Sequence, residues 1–70
     1  MTRMTWRSLG DRIRMLRELR GLTREDFAER TRLSAVYIKK LEAGERTSPS
    51  FPALERIARA LGVKLHVDLR

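Results

Sequence analysis

Cysteine is absent from the 70 residues, and histidine occurs once, at His66. The first absence excludes disulfides, thiol catalysis and thiolate metal sites. The second leaves no multi-histidine metal cage. Aromatic residues make up 6% of the chain, and Gly and Pro number four and two. No apolar run approaches the ~18 residues of a membrane-spanning helix. The first residues, Met1 to Arg7, carry charge with no apolar core behind it, so no secretory signal is expected. With 41% hydrophobic residues, the chain is neither of low complexity nor disordered. It holds no nucleophile–base pair, ligand cluster or phosphate loop. The expectation is one small, soluble, intracellular domain over residues 1–70, not an enzyme, with no cofactor and no metal.

Positive charge is what the chain has in excess. Sixteen Lys+Arg oppose nine Asp+Glu, for a net charge of +7. Only Lys39, Lys40 and Lys64 are lysines; the other basic residues are arginines, which form bidentate contacts with phosphate or carboxylate. The excess is concentrated near the start, where Arg3, Arg7, Arg12, Arg14, Arg17 and Arg20 meet only Asp11 and Glu18. Such a surface suits a polyanion, either nucleic acid or an anionic membrane. A chain this short buries only ~60% of its unfolded surface. A well-packed helical core or a second subunit must make up the difference.

Leu9, Ile13, Leu16 and Leu19 recur at helical spacing and predict a helix over 7–20, ended by Gly21. Thr23 and Asp26 form a shortened capping box that opens a helix over 24–30, with Phe27, Ala28 and Thr31 inward. Ser34 caps a third helix, 35–43, with Ile38 and Leu41 inward and Gly44 at its end. Ser50 caps a fourth, 51–61, with Pro52 in the first turn and Leu54, Ile57, Ala58 and Leu61 on one face; Gly62 closes it. The period then changes. Val63, Leu65, Val67 and Leu69 alternate with Lys64, His66, Asp68 and Arg70, the pattern of a half-buried strand over about 63–69. A lone strand needs partners for its backbone groups. The same strand of a second copy, antiparallel across a two-fold axis, is the simplest partner. The alternative is a short amphipathic helix or a frayed tail. The expected fold is therefore all-α: a compact four-helix domain with a C-terminal β-strand pairing across a homodimer.

Residues 24–41 fit a helix-turn-helix. Ala28 is small where two helices must cross, and Ile38 and Leu41 anchor the second so that its outer face can enter a major groove. Several stretches go further. Ile13-Arg14-Met15-Leu16-Arg17, Gly21-Leu22-Thr23, Phe27-Ala28-Glu29, Leu33-Ser34, Tyr37 to Gly44, Pro49-Ser50 and Leu54 to Val63 stand in the order and spacing of one family. Over residues 9–63 the chain resembles the lambdoid-repressor-like, Cro/C1-type (XRE) helix-turn-helix proteins. It departs from them at Arg32, where the family commonly has Gly, and at Arg24, where it favours Gln.

The resemblance implies base contacts from Ala35, Val36, Lys39 and Lys40. It implies phosphate contacts from Arg17, Thr23, Arg24, Ser34, Tyr37, Arg46, Thr47 and Ser48. It also implies a salt bridge between Arg17 and Glu42 that ties the first helix to the third. Trp6 reads as a hydrophobic staple or dimer contact, and His66 as a surface residue. The implied function is sequence-specific binding of double-stranded DNA with inverted-repeat half-sites, by a homodimeric transcriptional regulator. Its expected place is the cytoplasm of a bacterium or phage host, with no membrane partner. The ending also looks like the closing strand of some helix-turn-helix antitoxins, so the alternative is an antitoxin that binds a toxin protein and autoregulates its operon.

Overall fold

The structure, a computed structural model, describes residues 6–45 and 49–64. They form four helices: α1 (Trp6–Leu19), α2 (Arg24–Thr31), α3 (Ala35–Glu42) and α4 (Phe51–Leu61). Each bound falls within one residue of the expected one. The caps explain the starts. Thr23 Oγ1 accepts from the Asp26 N–H at 3.0 Å, and Asp26 Oδ2 accepts from the Thr23 N–H at 3.1 Å. Ser34 Oγ accepts from the Tyr37 N–H at 3.0 Å, and Ser50 Oγ from the Ala53 N–H at 3.2 Å. Each cap satisfies a first-turn donor that has no partner within its helix, which is worth about 1 kcal/mol.

Helix α2 runs one residue further than expected because Thr31 turns inward. It is 1% exposed, and its hydroxyl donates to the Phe27 carbonyl at 2.8 Å. The chain then reverses at Arg32, which is left-handed (φ 60, ψ 30) and donates its N–H to Ala28 O. A side chain in that conformation costs about 1 kcal/mol that glycine would avoid. The Leu33 N–H closes the turn on the same Ala28 carbonyl at 3.1 Å.

Ile13, Phe27, Ile38, Leu41, Ile57 and Leu61 form the core, with half-buried Leu9, Leu16, Leu22, Ala28 and Leu33 packed around it. Helix α3 packs on α1 and α2, and α2 also packs on α4. One residue of the expected periodic set lies elsewhere: Leu19 is 73% exposed. At about 100° per residue, Leu19 lies about 120° around the helix from Ile13, whereas Arg17 lies only about 40° away. Arg17 takes the inward place and is 6% exposed.

Beyond the left-handed Gly62 (φ 69), Val63 and Lys64 belong to neither helix nor strand. Leu65, Val67 and Leu69, and with them most of the expected strand, lie outside the described residues. So do Arg46, Thr47 and Ser48.

Candidate nucleic-acid interface

Helix α3 has two unlike sides. Ile38, Leu41 and Glu42 are buried. Val36 is 63% exposed, Lys39 and Lys40 are exposed, and Ala35 is half-buried at the edge. Positions 36, 39, 40 and 43 share one face at helical spacing, so the exposed Ala43 extends the stripe. The sequence reading did not single out Ala43, although its spacing from Val36 and Lys40 was the available signal. The stripe starts apolar and ends cationic. Its lysines occupy the last turn, where the helix dipole favours positive charge. Tyr37 is half-buried at the flank. Thr23 and Ser34 are exposed, and both hydroxyls serve as caps.

The opposite side of α3 is clamped. Glu42, in the last turn, is 4% exposed. Arg17 Nε donates to Glu42 Oε2 at 2.6 Å and Arg17 Nη2 to Oε1 at 3.0 Å, a bidentate pair across the α1–α3 contact. Arg17 Nη1 donates to Leu22 O at 2.7 Å. The hydrogen bond to Glu42 raises the Arg17 pKa above its ordinary value despite the opposing effect of burial. Arg17 therefore acts beneath the exposed stripe, with three of its five donors engaged internally.

Arg24 adds a third member. Its Nε donates to Glu42 Oε1 at 3.3 Å, while its side chain stays 43% exposed at the first residue of α2. This link was not expected: Arg24 and Glu42 are 18 residues apart and meet only through the packing of α2 against α3. Gly10 was also missed. It is buried, and a Cβ there would fall far inside contact distance of Leu41 O and 3.0 Å from Glu42 O. Helix α1 thus meets the end of α3 backbone to backbone. A single Gly within a helical pattern was the available signal.

Among the described residues, no group of three or more His, Cys, Asp or Glu could hold a metal ion. No helix there is long and apolar enough to cross a membrane.

Two short helices joined at a left-handed turn, the second buried on one side and bare on the other, define a helix-turn-helix. Comparison with known proteins agrees. A family model described as a helix-turn-helix domain matches residues 8–70. The chain is 40% identical over 58 residues to the HTH-type transcriptional regulator DdrOP3 of Deinococcus deserti, covering 83% of this chain and 44% of that protein. It is 38% identical over 58 residues to the immunity repressor protein of Bacillus phage phi105, covering 83% and 40%. The chain thus spans under half the length of these two relatives. Among solved structures, the restriction-modification controller protein C.AhdI from Aeromonas hydrophila superposes with a TM-score of 0.79 at 30% identity, covering 84% of this chain and 88% of that one. The chain belongs to the helix-turn-helix domain family, of the Cro/C1 type.

Proposed function

We propose that the chain is a sequence-specific, double-stranded-DNA-binding transcriptional regulator that acts as a homodimer in the cytoplasm. The observation that carries this reading is the division of α3, with Ile38, Leu41 and Glu42 locked inward and Val36, Lys39 and Lys40 left bare. Ala35 and Val36 cannot donate hydrogen bonds but can pack on thymine methyl groups, and Lys40 can donate to guanine O6 or N7. Lys39 serves a base or a phosphate. Thr23, Arg24, Ser34 and Tyr37 flank the helix and fix its register on the phosphates, joined by Arg46, Thr47 and Ser48, which stand between α3 and α4 in the sequence. Arg17 acts through Glu42. Pairing of Val63, Leu65, Val67 and Leu69 between two copies would set two such helices about one DNA turn apart, ~34–36 Å.

Selection of bound duplexes from a random pool, followed by footprinting, tests the reading. The expected result is an inverted repeat with half-sites one turn apart. Lys40→Ala should weaken binding to the selected site by roughly tenfold or more, the scale of one lost base contact, and weaken binding to random duplex much less. Equal loss on both would make Lys40 a phosphate contact, and no enrichment from the pool would defeat the proposal. The residues behind the antitoxin alternative lie almost wholly outside the described ones, so no second reading is argued.

A further inference from the structure

Glu42 is one carboxylate shared by two guanidiniums. Its side chain is 2% exposed, and Arg17 engages both of its oxygens, at 2.6 and 3.0 Å. Arg24 reaches Oε1 through Nε alone, at 3.3 Å. Two positive charges and one negative leave this cluster a net charge of +1. The excess faces solvent at Arg24, whose side chain is 43% exposed against 7% for Arg17. Among the described residues, Nη1 and Nη2 of Arg24 bond to no protein group. A guanidinium is planar, so a bond at Nε restrains the direction of its outer donors. Arg24 thus presents a directed, charged and unfilled edge beside α3. Bidentate recognition of phosphate oxygens needs such an edge.

We propose that Arg24 is a specificity-determining residue: its outer edge holds a DNA phosphate while its inner edge holds Glu42, so that a backbone contact sets the angle of α3. This inference rests on the DNA-binding regulator of the proposed function and gives Arg24 a role beyond register on the phosphates. Glu42 stands in the last turn of α3, on the buried side, behind Lys39 and Lys40. A phosphate stands at a fixed place relative to the base edges of its own duplex. The link from phosphate to Arg24 to Glu42 therefore refers the end of α3 to the duplex it reads. A phosphate contact without that link adds affinity for any duplex. With the link, losing Arg24 also lets α3 tilt, and Val36 and Lys40 then meet the base edges less well. That second loss falls only on the preferred sequence, because random duplex has no such base contacts to lose. Lysine cannot serve both edges, since its ammonium is a single point charge on a flexible stem.

Band shifts over a range of salt compare the parent with full-length Arg24→Lys and Arg24→Gln, on the selected duplex and on random duplex. Arg24→Lys keeps the charge, so the slope of affinity against salt should stay that of the parent. The ratio of selected to random affinity should fall by about fivefold or more, the low end of one lost base contact. Arg24→Gln should lower the ratio as far and also reduce the salt slope by about 1. If circular dichroism shows either variant unfolded, the other carries the comparison. An unchanged ratio would make Arg24 a plain phosphate contact and overturn the proposal. Arg24→Lys is then combined with Lys40→Ala. Losses at independent sites multiply, whereas coupled ones do not. Because Arg24 acts through the angle that aims Lys40, the double variant should bind the selected duplex at least about threefold better than the product of the single losses predicts. Losses that multiply would make Arg24 an independent contact, to base or phosphate, and would also overturn the proposal. The two readings fail separately. A parent that enriches no duplex refutes the regulator and this inference with it. A parent that enriches one, with the ratio kept in the variants, refutes this inference alone.

Discussion

Replacing Glu42 by alanine tests the internal clamp. Glu42 and Arg17 are 4% and 6% exposed, so solvent screening removes little of their interaction. Taking one partner from a buried, bidentate pair costs about 3–5 kcal/mol, mostly because the remaining charge stays buried. Arg24, with its side chain 43% exposed, adds at most about 1 kcal/mol. A chain of 70 residues has roughly 3.5–10 kcal/mol in all, at about 0.05–0.15 per residue. Glu42→Ala should therefore remove about a third of the stability or more. In a domain of this size each kcal/mol moves Tm by about 4–8 °C, so the expected fall exceeds about 12 °C. Urea unfolding followed by circular dichroism gives the free energy. Glu42→Gln, which keeps the volume and one acceptor, should lose less. Arg17→Met combined with Glu42→Leu should be more stable than either Arg17→Met or Glu42→Ala, since an apolar pair leaves no stranded charge. A Glu42→Ala protein within about 0.5 kcal/mol of the parent, the range of ordinary surface changes, would refute the clamp.

Gly10→Ala should destabilise by about 1–3 kcal/mol in urea, although alanine is the better helix former, because the new Cβ drives α1 off the last carbonyls of α3; a gain in stability would show the helices farther apart than described. Arg32→Gly should stabilise by up to about 1 kcal/mol by relieving the left-handed turn, and a loss of stability would assign Arg32 a contact that outweighs the strain. Hydrogen bonds from the Thr23 backbone and side chain hold the Asp26 carboxyl below its ordinary value of 3.8. Its contribution is present above that value and is lost as pH falls through the lower folded value. Asp26→Asn should therefore flatten part of the fall in Tm as the pH drops below the ordinary value of 3.8, and an unchanged acid profile would exclude the capping box as its source.

Much of the fold was legible because its signals are local. Thr23, Ser34 and Ser50 each sit one residue before a helix and bond within their own first turn, so spacing alone located them. The buried face of α4 follows from period 3.6. What stayed hidden was tertiary. Gly10 matters only because Leu41 and Glu42 end α3 against it. Arg24 reads only as a phosphate contact from the sequence, and its bond to Glu42 shows only in the fold. Leu19 keeps the apolar spacing but lies off the buried arc that Arg17 occupies. On α3, spacing identified the bare side and the family resemblance implied the Arg17–Glu42 pair beneath it, whereas the Arg24 and Gly10 contacts had no such signal.

That fixing explains why a small core includes a charged pair. An apolar pair of similar volume often stabilises as well or better, so stability alone does not call for Arg17 and Glu42. A bidentate fork adds direction, because it fixes the guanidinium and carboxylate planes relative to each other. Helix α3 has eight residues and is about 12 Å long. A tilt of about 10° would displace its far end by about 2 Å, enough to break a hydrogen bond that tolerates only a few tenths of an ångström. The turn at Arg32 holds one end of α3, while Gly10 and the Arg17–Glu42 pair hold the other. The net charge of +7 already attracts the chain to any polyanion. For one sequence to be preferred, as proposed, the fold must add a constant angle of α3, and the buried pair lies where it would supply that angle.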